Sequence, residues 1–145
     1  MTRYIATAEG HIPFTPEEEA AADLKEAEWL AGELDRNRAV KLEAIKAKRI
    51  AKAEGGMIFA GKLVPTDKEA IVLVESAIKY LDGKVGKTVK RAGLGTIDKQ
   101  TLDAYFEAMA VLHEGAFVRE SDLFDLITAA QTVEQLDAID IEGGW

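Results

Sequence analysis

From Leu102 to Ala130 the apolar residues hold one helical phase without a slip. Leu102, Tyr105, Phe106, Met109, Leu112, Ala116, Phe117, Leu123, Phe124, Ile127 and Ala130 fall on one face, and Gly115 lies on the opposite side. The pattern predicts a single helix from about residue 99 to 131, buried along one side, around which the rest of the chain must wrap. Phe117 and Phe124 are read as core, where truncation to alanine removes about 3 kcal/mol. A second buried helix follows from Ile71, Val74, Ile78 and Leu81, with Val72, Leu73 and Ala77 widening its apolar face.

Helix starts are legible. Thr15-Pro16-Glu17-Glu18 supplies a capping threonine, a proline at the first helical position and a glutamate three residues after the cap. The same S/T-x-x-E/Q box recurs from Thr66 to Glu69 and from Thr132 to Gln135, so helices are expected to begin near residues 16, 67 and 133. The first can run to Glu54, where Gly55-Gly56 stops it, a length of roughly 55 Å. Gly32 is its weak point. Ala20, Leu24, Ala27, Ala31 and Leu34 have coiled-coil spacing, but Arg38 and Lys41 spoil the next heptad. Two clean heptads fall short of a coiled coil, which leaves self-association through this helix open.

Charge is divided along the same helix. From Glu17 to Asp35 there are eight acids and one base, and from Arg36 to Lys52 seven bases and one acid. One reading is a solvated helix whose ends complement its dipole. The other is a contact in which the basic half meets an acidic partner, such as this chain's own carboxyl-terminal part. Trp29 lies off the apolar stripe and either covers another element or is an exposed anchor.

After Gly56, Met57-Ile58-Phe59, Ala60-Gly61 and Lys62-Leu63-Val64 read as a tight hairpin. The glycines precede a strand and do not feed a helix, so this joint is structural and not a phosphate loop. A second hairpin is expected within residues 86–98, turning near Ala92-Gly93 or Leu94-Gly95. Lys84, Lys87, Lys90 and Arg91 form a small basic patch on it, read as a solvated surface.

The net charge of −8 and pI near 4.8 argue against a phosphate-tracking nucleic-acid binder. With no cysteine, thiolate sites and cysteine nucleophiles are excluded. No apolar run approaches the roughly 20 residues that span a bilayer, and no signal-peptide core is evident, which leads to the expectation of a cytosolic protein with no membrane partner. His113 and Glu120 interrupt the apolar face but lie two turns apart, too far to share a metal without a third group. His113 is expected to be a satisfied buried histidine. Nothing pairs it with His11. No triad order, H-E-x-x-H, calcium loop or nucleophile elbow is present, so neither an enzyme nor a cofactor is expected.

Three stretches, "IKAKRIAKAEGGMIFAGKLVPTD", "VLHEGAFVRESDLFDLI" and "TVEQLDAIDIEGGW", resemble an uncharacterised domain family found in bacteriophage and prophage tail-fibre and tail-assembly proteins. The opening "IPFTPEEEAAADLKEAEW" resembles the start of many small phage tail proteins. Where the family's second hairpin begins with a tryptophan nearby, this chain has Val85-Gly86-Lys87. The resemblance implies a non-enzymatic protein that binds a tail-fibre or tail protein in the host cytoplasm as an assembly chaperone or accessory. The alternative it implies is a stoichiometric structural component retained in the virion tail, fibre or baseplate. A small ligand-binding domain or enzyme ranks third.

The expected architecture is therefore α+β and mostly helical, with an extended segment over 1–16, a long charged helix over 17–54 and a compact domain with two small hairpins over 55–145. Tyr4, Ile12, Phe14, Leu24, Trp29 and Leu34 are the expected partner interface. The extended segment, which also carries Ile5, suits either edge-strand addition or packing on its own helix.

Overall fold

A computed structural model describes residues 3–7, 10–91 and 93–145. It has the mostly helical α+β character that the periodicity predicts: among the described residues, five helices and three two-stranded antiparallel sheets. The chain runs through β1 (Tyr4–Thr7), β2 (Gly10–Pro13), α1 (Pro16–Ala31), α2 (Glu33–Glu54), β3 (Met57–Phe59) and β4 (Lys62–Val64). It continues with α3 (Lys68–Leu81), β5 (Val89–Arg91), β6 (Gly95–Ile97), α4 (Lys99–Ala129) and α5 (Val133–Asp137).

α4 is the spine. Its 31 residues make a rod of about 46 Å, with a separate core on each half. On the first half, Leu102, Tyr105 and Met109 pack with Val74, Ala77 and Leu81 of α3, Val64 of β4 and Ile97 of β6. On the second half, Leu123, Ile127 and Ala130 pack with Ile45 of α2 and Leu136 of α5, flanked by Leu34, Leu42, Ile139, Ile141 and Trp145. α2 thus forms one wall of the second core. The boundary expected at residue 54 does not separate a free helix from a compact domain, because the burial of Ile45 and Ala53 ties α2 into the body. The expected single helix over 17–54 is interrupted at Gly32, where α1 gives way to α2.

Two further expectations are corrected. Phe117 and Phe124 are not core: they are 50% and 48% exposed. Each follows a buried residue, Ala116 or Leu123, by one position. That step of 100° carries them past the edge of the surface that α2 covers. The expected extended segment is a hairpin, with Tyr4 opposite Pro13 and Ile5 opposite Ile12; residues 1, 2, 8 and 9 of that segment lie outside the described residues.

The helix starts follow local hydrogen bonding. At α1 the box closes in both directions: the Glu18 N–H donates to Thr15 Oγ1 at 3.3 Å and the Thr15 N–H to Glu18 Oε2 at 2.7 Å. At α5 the Gln135 N–H donates to Thr132 Oγ1 at 3.2 Å. At α3 the cap is Asp67 and not Thr66, with the Ala70 N–H donating to its carboxylate at 2.8 Å. Asp98 caps α4 in the same way, accepting from the Thr101 N–H at 2.8 Å.

Thr66 is displaced from the cap because its hydroxyl is engaged elsewhere. It is fully buried, donates to the Ala53 carbonyl at 2.6 Å and accepts the Gly56 N–H at 3.0 Å, closing the end of α2. Its carbonyl lies 2.8 Å from His113 Nε2 on α4, and the preceding Pro65 carbonyl accepts from the Tyr105 hydroxyl. The expected satisfied histidine is found here, half-buried.

The hairpins have the turns their residues allow. Ala60 and Gly61 both have positive φ, 49° and 75°, the geometry of a two-residue type I′ turn. At the second hairpin Gly93 has φ 78°, and a Cβ there would lie 3.0 Å from the Leu63 carbonyl, so the turn rests directly on β4. Ala92 lies outside the described residues.

The basic half of α2 meets the chain's own carboxyl-terminal part. Arg38 donates to the Ile127 and Ala130 carbonyls at 3.3 and 2.7 Å. Lys41 reaches the Leu136 and Ile139 carbonyls, and Lys48 pairs with Glu142. Cations here satisfy the orphan carbonyls that end α4 and α5. Arg119 closes the last turn by donating to the Asp140 and Gly143 carbonyls, and Asp140 itself accepts the Glu142 and Gly143 N–H groups.

Thr66→Val keeps the shape but strips both partners from Ala53 and Gly56. It is expected to lower unfolding stability by about 3 kcal/mol, from the usual penalty for buried unpaired groups; a denaturant midpoint unchanged from the parent would show that Thr66 does not hold this joint. Asp98 and Asp140 have their pKa lowered from 3.8, chiefly by the N–H groups of Thr101 for the first and of Glu142 and Gly143 for the second. Their contribution is complete above pH 3.8 and drains as pH falls through the lower folded values. Asp98→Asn and Asp140→Asn should each flatten the acid limb of a stability profile, and an acid limb identical to the parent's would contradict the assignment.

Candidate interaction surface

α1 contributes no buried residue to either core. Its foundation is electrostatic: Arg3 donates its backbone N–H to Glu19 at 2.7 Å, and its guanidinium engages Glu19 at 3.1 Å, Asp23 at 2.6 Å and Glu26. These acids stand on successive turns of one face, so a single arginine binds the β1–β2 hairpin along α1. The Phe14 N–H returns to the Arg3 carbonyl at 3.0 Å. Acidic contacts raise the pKa of Arg3 further, Asp23 foremost.

The expected interface residues divide into three groups. Tyr4 and Ile12 are exposed on the hairpin, together with Ile5; Leu24 and Trp29 are 62% and 64% exposed on α1, beside exposed Leu30. Phe14 is half-buried where the hairpin enters α1. Leu34 is not on this surface but packs against the second core, because it lies past Gly32 on the part of the helix that the body covers. Trp29 is an exposed side chain with a local cover: the Arg36 guanidinium stacks 3.6 Å from the ring centre and donates to the Trp29 carbonyl.

A second apolar surface was not singled out in the sequence. A groove of about 480 Å³ runs between α2 and α4, lined by Leu42, Ile45, Phe117 and Phe124 with Glu43, Lys46, Glu120 and Ser121 at its polar margin. Arg49 closes one end, with Nε 2.8 Å from Glu120 and its guanidinium 4.6 Å from the Phe117 ring centre. That Arg49 N–H has no aligned acceptor, so the contact is an ion pair without a directed hydrogen bond. The available signal was the pair Phe117 and Phe124, seven apart at the margin of the α4 stripe.

His11 is exposed on β2 and pairs with Ala6 across the strand. Among the described residues no group of three or more His, Cys, Asp or Glu could hold a metal ion, and no helix is long and apolar enough to cross a membrane. The loop after α3 forms a shallow cavity of about 430 Å³ beside Lys84, Lys87 and Lys99. Lys84 is turned onto its own helix, with its ammonium 4.1 Å from the Tyr80 ring centre and bonded to the Tyr80 carbonyl. Burial raises the pKa of Tyr105, whose hydroxyl is committed to Pro65.

Leu24→Ala and Trp29→Ala are expected to change the stability of the isolated chain by less than about 1 kcal/mol, since neither side chain is in a core. Ile127→Ala, in the second core, should remove about 2–5 kcal/mol. Thermal melts of the three variants side by side test the division: a loss at Leu24 or Trp29 as large as that at Ile127 would place the arm inside the fold.

Comparison of the chain with family models, with curated proteins and with solved structures returned no match.

Proposed function

We propose that the chain is a non-enzymatic phage tail protein that binds a tail-fibre or tail protein as an assembly chaperone or accessory. The observation that carries this reading is the arm: a hairpin and a helix with no buried residue among those described, held out by Arg3, that present Tyr4, Ile12, Leu24 and Trp29 to solvent. A chain that keeps large apolar groups exposed on an ordered element has a surface suited to a protein partner. The resemblance of the sequence to phage tail domains supplies the partner class. Catalysis is not part of the proposal; His113 and the buried Tyr105 are engaged in holding the β4–α3 joint.

A second reading, a structural component that stays in the tail, fibre or baseplate, is favoured by the hairpin. Two short antiparallel strands that carry exposed Tyr4, Ile5 and Ile12 suit augmentation by a neighbouring chain. The two readings differ in where the protein ends up.

Mass spectrometry of purified particles of the encoding phage separates them. Absence from particles, with co-purification of a fibre or tail protein from infected cells, is the expected result for a chaperone. A fixed copy number relative to the fibre subunit selects the structural component, and absence from both particles and tail-protein complexes refutes both.

A further inference from the structure

The arm and the groove are two unfilled apolar surfaces on one chain, and they cannot fill each other within it. Only Gly32 separates α1 from α2, and the helical hydrogen bonding continues across it: the Gly32 N–H donates to the Glu28 carbonyl and the Arg36 N–H to the Gly32 carbonyl, both at 3.1 Å. Antiparallel packing of α1 back onto α2 needs a connection of about two residues or more that leaves the helical path. α1 is therefore carried onward past the end of the body.

Gly32 itself departs from helical geometry, with φ −88° and ψ 2°, but the bonds on both sides of it carry the turn count across. Leu24 and Leu42 stand about five helical turns apart, and Glu17 and Lys46 about eight, so the arm and the groove margin share one face of the α1–α2 rod. Along that rod the first half is acidic, with eight acids and one base over 17–35, and the second half basic, with seven bases and one acid over 36–52. Such a rod is complementary to a second copy of itself only when the two run antiparallel. Parallel pairing sets acids against acids.

We infer that two copies of this chain pair antiparallel about a twofold axis near the start of α2, each laying its acidic arm along the α2–α4 groove of the other. Leu24 and its neighbours cover Leu42, Phe117 and Phe124 of the second copy, and Glu17, within one turn of the position that faces it, approaches Lys46. Lys46 is available for this: its nearest acid, Glu43 on the same helix, is 3.8 Å away. The arrangement is closed and isologous, so it stops at a dimer, and opposite charges fix its direction. The pairing rests on reading α1 as a binding arm and names a second copy as one of its occupants.

The absence of cysteine makes single introduced thiols clean reporters. A chain with Leu24→Cys is mixed with a chain with Ser121→Cys and oxidised mildly, while the parent chain is followed by sedimentation equilibrium. The expected result is a dimer that weakens with salt and a disulfide joining the two different variants. Two Leu24 positions in the antiparallel pair lie on the order of 30 Å apart, so links between two Leu24→Cys copies in place of the mixed link would overturn the inference. A parent chain that stays monomeric at every concentration reached would also overturn it. Glu17→Lys and Lys46→Glu should each raise the dimer dissociation constant several-fold, with the double variant restoring it; no restoration would refute the proposed facing of these residues. All of this uses the purified chain alone, so its failure leaves the tail-partner reading standing, and failure of the particle experiment leaves the dimer untouched.

Discussion

The hydroxyl of Thr66 holds together parts of the chain that local propensity alone would leave apart. It accepts the Gly56 N–H and donates to the Ala53 carbonyl, so the stop of α2 and the approach to α3 are joined through one buried oxygen. Backbone carbonyls of the same short segment are bound by Tyr105 and His113 from α4. With three elements fixed at one point, the β3–β4 hairpin must lie over the first half of α4, and the second hairpin must seat its turn on β4. Buried polar groups of this kind are costly unless fully paired, and the Thr66 hydroxyl, the Gly56 N–H and the Ala53, Pro65 and Thr66 carbonyls each have a partner.

The second dependence is between cationic side chains and the dipoles of backbone carbonyls. Arg38, Lys41 and Arg119 are directed mainly at backbone carbonyls near the ends of α4 and α5 and in the closing turn. A carbonyl offers a fixed, partly buried target, whereas exposed carboxylates hold long side chains only weakly. The carboxyl-terminal turns thereby become part of the second core instead of a loose tail, with Trp145 packed against it and bonded to the Ile141 carbonyl at 3.0 Å.

Periodicity and caps made most of the architecture legible. The 31-residue α4, the Thr15 box and both central hairpins follow from residue spacing alone. What spacing could not reveal was competition between neighbours. Thr66 and Asp67 both suit a cap, and only the buried position of the Thr66 hydroxyl decides between them. Phe117 and Phe124 belong to the apolar stripe by angle, yet one covering helix is narrower than the stripe. For Trp29 and the amino-terminal segment with Tyr4 and Ile12, the sequence left packing within the chain and exposure both open; the structure leaves these side chains and Leu24 exposed. Leu34 was not separable from them, since the point where the body begins to cover the helix depends on tertiary packing. The α2–α4 groove depends on two distant segments and left only a faint trace in the sequence.

Hydrogen bonding that continues through Gly32 has a mechanical consequence. Sixteen residues of α1 set the hairpin about 24 Å beyond the joint, at a spacing fixed by helical rise and not by a tether's random walk. A surface mounted on such a strut is offered at one distance, so whatever engages it inherits a defined separation from the two-core body. The arm acts as a ruler as well as a handle.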